Sequence, residues 1–232
     1  MNTIVKKLLG KIIISCQAYE DTPLYGSQYM KVMAQSALLG NASGIRACWP
    51  QDIRAIRELG DFPIIGINKI MDHNKDPKDY IFITPTLESA TAVIEAGCDI
   101  VALDCTLRPF RDKKALYDLL KSIKDKHPSI ALMADIRSLE EGIFAAETGL
   151  VDIVATTLSS SAMEEPKADD ELVSELKKRI SVPINAEGAI WDLNDLQRVI
   201  DAGADMVTIG TAVTRPHLVT ERFVEFNKKL RG

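Results

Sequence analysis

Two residues of this chain have the chemistry and the placement to move protons. Lys69 stands just past the apolar run Ile64–Asn68, and Glu187 closes the run Ile184–Glu187. If both runs are strands of one parallel sheet, the amine and the carboxylate open onto the same edge. A partly desolvated lysine has a lowered pKa and serves as a base, while a carboxylate close by opposes that shift, so relative geometry decides the outcome. The plainer reading is a buried ion pair without a chemical role, since such pairs also occur in clefts. Cys16 is a further candidate nucleophile, but no histidine is placed to activate it.

A second group of residues suits an anion. Two late segments, Glu187-Gly188-Ala189-Ile190 and Gly210-Thr211-Ala212-Val213-Thr214-Arg215-Pro216, each follow an apolar run. Glycine lets a ligand approach the backbone closely, and amides at the start of a short helix carry the positive end of its dipole. Gly188 and Gly210 fit the first role, Thr211 adds a hydroxyl, and Arg215 adds charge or binds a surface carboxylate.

The elements that must position these groups are written as an alternation. Eight strand-length runs occur, at Ile12–Ser15, Ser43–Arg46, Ile64–Asn68, Ile100–Asp104, Ile130–Asp135, Ile153–Thr156, Ile184–Glu187 and Met206–Ile209. Segments of helical period separate them: Ser27–Leu39, Gln51–Leu59, Leu87–Glu95, Lys113–Lys126, Leu139–Glu147, Asp170–Arg179 and Leu193–Asp201, with Leu218–Leu230 last. Nearly continuous apolar runs mark strands covered on both faces, and the alternation marks βα units. The segments VIEAGCDIVALD and VIDAGADMVTIG repeat one pattern of helix end, glycine stop and strand. Tyr80–Ile83 reads as an extended piece in an elaborated loop. With no G-x-G-x-x-G after the first strand, closure into a (β/α)₈ barrel is favoured over an open doubly wound sheet, as one domain over residues 1–232.

Closure places the active site at the strand C-termini. Every run ends in polar groups: Ser15-Cys16-Gln17, Arg46, Asn68-Lys69, Asp104, Asp135, Thr156-Thr157, Glu187-Gly188 and Gly210-Thr211. All are therefore expected at one mouth, with phosphate on the loops after strands seven and eight.

Composition narrows the partners. The 232 residues carry a net charge of −5 and 46% apolar residues, so nucleic acid is a poor default partner. No run approaches the length of a membrane span, and Met1–Ile14 lacks a leader's features, which reads as cytoplasmic. The four cysteines form no C-x-x-C pair and read as reduced core thiols. His73, His127 and His217 are far apart and read as loop residues, so no metal site is expected.

Several of these segments, taken in order, resemble one family. Ile14–Ala18 (ISCQA), Ser43–Ala47 (SGIRA), Pro63–Ile67 with Lys69, Ile83–Thr86 (ITPT), Ile100–Asp104 (IVALD), Met133–Ile136 (MADI), Ala186–Gly188 (AEG) and Thr214–Pro216 (TRP) are similar to the N-acetylmannosamine-6-phosphate 2-epimerases. The resemblance implies a TIM barrel of the ribulose-phosphate-binding type. It also implies interconversion of N-acetylmannosamine 6-phosphate and N-acetylglucosamine 6-phosphate in amino-sugar catabolism. It assigns catalysis to Lys69 and Glu187, sugar contacts to Gln17, Arg46 and Asp135, and phosphate binding to the last two loops. On that basis the phosphate is expected on the backbone amides of Gly188, Ala189, Gly210, Thr211 and Ala212, with Arg215 as a candidate charge. The chemistry requires no metal, flavin or nicotinamide: the C2 proton beside an aldehyde is acidic enough for a base, with a donor near the developing oxyanion. The implied partner is a small phosphosugar, and a homodimer is compatible with it.

The chain also departs from the family pattern. Thr156–Ser161 lacks the usual loop-six tyrosine, Ala189 replaces a basic residue, Ile70-Met71-Asp72 replaces an Arg-Asp-Tyr-like run, and Asp104–Pro109 keeps part of its usual basic content. These changes bear on substrate preference and phosphate affinity. Two alternatives stay open: another phosphosugar isomerase or synthase on the same barrel, and a catalytically silent sugar-phosphate-binding barrel.

Overall fold

In the computed structural model, described over residues 1–76, 79–160 and 166–232, eight parallel strands close into a barrel in chain order. The elements run α1 (Thr3–Leu8), β1 (Ile12–Cys16), α2 (Ser27–Leu39), β2 (Gly44–Cys48), α3 (Pro50–Arg57), β3 (Ile64–Ile67), α4 (Leu87–Glu95), β4 (Ile100–Asp104) and α5 (Lys113–Lys126). They continue as β5 (Ala131–Asp135), α6 (Leu139–Glu147), β6 (Ile153–Ala155), α7 (Asp170–Lys177), β7 (Ile184–Glu187), α8 (Leu193–Asp201), β8 (Met206–Ile209), α9 (Thr211–Thr214) and α10 (Pro216–Arg231). Pairing of Ile12 with Val207 closes the ring. The strands match the expected runs within two residues. The fold is therefore the (β/α)₈ barrel.

Strand alternation divides the core in two. Ile13, Cys48, Ile65, Ile100, Met133, Ile153 and Met206 fill the inside of the ring, while Ile45, Ile64, Val101, Leu132, Val154, Ile184 and Val207 pack outward against the helices. The floor is sealed by α1, whose Val5 and Leu8 are fully buried in the inner cluster. Asn2 caps this helix by accepting from the Ile4 amide at 2.9 Å.

Local chemistry sets the helix ends. Thr86 and Ser138 open α4 and α6 with reciprocal capping boxes. Gly97 and Gly203 take φ of 103° and 104° just past α4 and α8, which a side chain would resist. Proline starts α10 two residues before the expected Leu218, so His217 belongs to a helix rather than a loop. Beyond β3, Ile83 bridges antiparallel to Lys69, and the Ile70 amide donates to Phe82 at 2.9 Å, which folds the extended piece back over the strand end. Among the described residues, no helix is long and apolar enough to cross a membrane.

Candidate active site

Alternation along the strands decides which groups reach the mouth. At the end of β1, Ser15 and the following Gln17 face a cavity of about 460 Å³ at the C-terminal end of the barrel. Cys16 turns outward into the core beneath the helices. Burial pushes the Cys16 thiol up to about 12, which removes the thiolate a nucleophile needs. Arg46, Lys69, Thr157, Glu187, Gly188, Ala189, Gly210, Thr211 and Arg215 all line the same cavity.

The expectation that every strand end opens there is corrected at four further positions, since Asn68, Asp104, Asp135 and Thr156 do not line the cavity. Thr156 is buried, and its hydroxyl donates to the Glu187 carbonyl at 3.1 Å. Asn68 is buried and its amide donates toward Ser89 O at 3.4 Å. Asp104 is 1% exposed, and its Oδ1 accepts from the Thr106 amide, the Thr106 hydroxyl and Arg111. That carboxylate shapes the loop after β4 instead of meeting a ligand.

The charged centre is a three-residue network. Arg46 clasps Asp135 with two hydrogen bonds, NH1 to Oδ1 at 2.9 Å and NH2 to Oδ2 at 2.6 Å. NH1 also donates to Glu187 Oε2 at 2.9 Å. The side chains of Arg46, Asp135 and Glu187 are 1%, 0% and 11% exposed. Asp135 therefore lies behind Arg46, and its Oδ1 also accepts from the Thr157 hydroxyl at 2.6 Å. Lys69 and Glu187 form no ion pair with each other: among the described residues the glutamate's ionic partner is Arg46.

Electrostatics follow from this packing. Burial alone would lower the Arg46 guanidinium, but Asp135 and Glu187 outweigh it and hold its pKa above the ordinary value. Burial raises the Glu187 carboxyl to about 7; Arg46 opposes the rise, Asp135 adds to it and Lys69 opposes it. A carboxyl poised there can both give and take a proton near neutrality. Removing one partner from such a network leaves a buried charge unmatched and costs about 3–5 kcal/mol. That is a large share of a typical domain's stability of ~5–15 kcal/mol, so Arg46 is a poor position for separating chemistry from folding.

Lys69 is held by residues that the sequence analysis did not single out. Its Nζ lies 2.5 Å from the Tyr19 hydroxyl, and its carbonyl accepts from Trp49 Nε1 at 2.9 Å. The Tyr19 ring packs edge-on against Trp49, with the Arg215 guanidinium 5.3 Å from its centroid. One aromatic side chain thus links the amine to the arginine of the last loop. Tyr19→Phe keeps the ring and loses the hydroxyl. It is expected to lower kcat by about tenfold with KM nearly unchanged, the size of one hydrogen bond to a charged group; steady-state kinetics checks this.

The last two loops adopt constrained backbone. Gly188 has φ 112°, and a Cβ there would sit 2.6 Å from Ser160 Oγ. Ala189 follows with φ 50°, an uncommon conformation for a residue with a side chain. The first amides of α9, at Thr211 and Ala212, have no intrahelical acceptor. The Ala212 side chain belongs to a different groove, beside Trp191 and Phe223. Thr214 fastens the loop to the barrel by donating to Ser15 O at 2.8 Å. Ser161, part of the altered loop-six segment, lies outside the described residues.

A closed parallel barrel with a buried Arg–Asp–Glu network, an amine at the mouth and two backbone-lined loops is the architecture of a (β/α)₈-barrel enzyme. The family model described as "Putative N-acetylmannosamine-6-phosphate epimerase" matches residues 30–229. The chain belongs to that family. A relative of the same description from Caldanaerobacter subterraneus subsp. tengcongensis is 42% identical over 231 residues, 98% of this chain and 95% of the relative. Another from Listeria monocytogenes serotype 4b is 38% identical over 99% of each chain. The solved N-acetylmannosamine-6-phosphate 2-epimerase of Clostridium perfringens superposes with a TM-score of 0.87 at 36% identity, over 97% of this chain and 96% of that one. Deoxyribose phosphate aldolase from Aeropyrum pernix, at 16% identity and a TM-score of 0.65, shares the fold.

Proposed function

We propose that this protein interconverts N-acetylmannosamine 6-phosphate and N-acetylglucosamine 6-phosphate by removing the proton on C2 and returning it to the opposite face. The observation that carries this reading is the convergence of Lys69, Arg46 and Glu187 on one cavity whose other wall is the Gly188–Ala189 and Gly210–Thr211 backbone. Lys69 takes the C2 proton of the open-chain sugar. Glu187 moves protons on and off the sugar oxygens, and Arg46 stabilises the enediolate charge. Gln17 supports a polar substrate contact: its Nε2 donates to Ser15 Oγ at 2.7 Å, while its buried Oε1 has no partner among the described residues. A sugar hydroxyl or the acetamide N–H supplies the missing donor. Asp135 acts by holding Arg46. The phosphate sits against the amides of Gly188, Ala189, Gly210, Thr211 and Ala212, with Arg215 beside it. Assaying both N-acetylhexosamine 6-phosphates against a pentose phosphate tests the assignment. Turnover of the pentose phosphate alone would overturn it in favour of another phosphosugar enzyme.

We further propose that the protein is a homodimer through α10. This helix buries none of its residues, and Phe223, Phe226 and Leu230 are 71%, 62% and 70% exposed. With Trp191, Ala212 and Val219, Phe223 and Phe226 form an apolar groove that a second copy covers. Sedimentation should give a dimer for the unmodified chain and a monomer for Phe226→Asp; a monomeric unmodified chain would refute the dimer.

A further inference from the structure

The inside of the barrel holds one polar pair that neither the fold nor the mechanism above has used. Asn185 on β7 is 0% exposed, and Thr208 on β8 is 1% exposed at the inner end of the active-site cavity. Around them the interior is filled by Ile13, Met133 and Met206. A carboxamide taken from water into such surroundings is unfavourable unless both its ends are hydrogen-bonded. Both are. The Thr208 hydroxyl donates to Asn185 Oδ1 at 3.0 Å, and Asn185 Nδ2 donates to Glu187 Oε2 at 3.2 Å. Alternation places Asn185 and Glu187 on the same inward face of β7, two residues apart, and the β7–β8 register sets Thr208 opposite Glu187.

We propose that Asn185, oriented by Thr208, is a positioning residue that fixes which oxygen of Glu187 carries its proton. Oε2 accepts from two donors, Asn185 Nδ2 and Arg46 NH1. A proton on that oxygen would meet both of them head-on. The proton of the neutral acid therefore resides on Oε1, the oxygen left to the cavity that Glu187 lines. Thr208 matters because a carboxamide can be turned over. With its oxygen towards Glu187, Asn185 would repel the ionised carboxylate and draw the proton onto Oε2, away from substrate. The threonine hydroxyl holds Oδ1 away from the carboxylate. The other groups facing Glu187 are Arg46 from β2, Asp135 from β5, Lys69 beyond β3 and the Thr157 hydroxyl, which donates to Asp135 and also lies in hydrogen-bonding reach of the Glu187 carboxyl. Asn185 is neutral and donates to Oε2, so it directs the proton without changing the charge of the site.

This inference rests on Glu187 handling protons, and Thr208→Val with Thr208→Ser test it. Valine keeps the shape and loses the hydroxyl; serine keeps the hydroxyl and loses a methyl. Thr208→Val is expected to lower kcat by about tenfold, the scale of a hydrogen bond to a charged group. KM should stay within about twofold, and the break in the pH profile of kcat/KM that belongs to Glu187 should move upward, because the anion loses a donor. Thr208→Ser should recover most of both effects. In a Glu187→Gln background, Thr208→Val should have little further effect on kcat. The reverse order, with serine damaging and valine harmless, would show a packing role and overturn the proposal. A Glu187→Gln protein that kept full turnover and the pH break would instead overturn the reading of Glu187 itself.

Discussion

Lys69→Met is expected to lower kcat by about 10³-fold, inside the ~10²–10⁴ range that a positioned acid or base contributes. Methionine keeps the length and the apolar stem of lysine and loses the nitrogen. The fold should survive, because Lys69 Nζ meets Tyr19 rather than the buried charge network, and the β3 backbone is set by its own pairing. KM should change little, since the Gly188 and Gly210 loops and Arg46 stay in place. Single-turnover and steady-state rates, with thermal denaturation as a control on folding, check this. Turnover near that of the unmodified protein would remove Lys69 from the mechanism.

Glu187→Gln has the second largest expected effect, a loss of about 10²-fold in kcat. Glutamine keeps a donor for the substrate oxygen and cannot transfer a proton. The pH profile carries the sharper signal. The Glu187 carboxyl titrates at about 7 because burial disfavours its anion. If the active form shares one proton between the base and this acid, kcat/KM rises towards pH 7 and levels above it. Glu187→Gln should erase that break, while any inflection from the substrate's own phosphate, near ~6, remains in both proteins. Stability has a definite sign as well. The folded pKa is raised, so between about 4.5 and about 7 the folded state binds more protons than the unfolded one. The contribution of this carboxyl to stability is present at low pH and is lost as pH rises through that window. Glu187→Gln should flatten that slope in denaturation midpoints.

Much of this was legible in the sequence. The strands were, because a barrel strand covered on both faces is an apolar run, and glycine or proline bounds most of these. The ends of those runs located Arg46, Lys69 and Glu187 for the same reason: an inward position two residues past a buried one must face the mouth. Alternation also explains the failures. Cys16 ends a strand but points outward, and Asp104 points inward but is consumed by Thr106 and Arg111. Asn185 stayed hidden because one polar residue between Ile184 and Ala186 reads as strand interior, and the hydroxyl that orients it lies on another strand, at Thr208. Tyr19 stayed hidden because its partner is fifty positions away and the loop between β1 and α2 carries no periodicity. The short helices α1 and α9 escaped because six and four residues are too few to show a period. The family resemblance supplied the roles of Gln17 and Asp135; geometry then set Asp135 behind Arg46.

The central claim is that a protein base exchanges the proton on C2. Turnover of N-acetylmannosamine 6-phosphate in heavy water, followed by proton NMR of the product, tests it most directly. Deuterium at C2 of the N-acetylglucosamine 6-phosphate formed is the predicted result, with exchange lost in Lys69→Met alongside turnover. Product carrying the original C2 hydrogen in full would contradict proton transfer through an exchangeable side chain, and with it the account of Lys69 and Glu187.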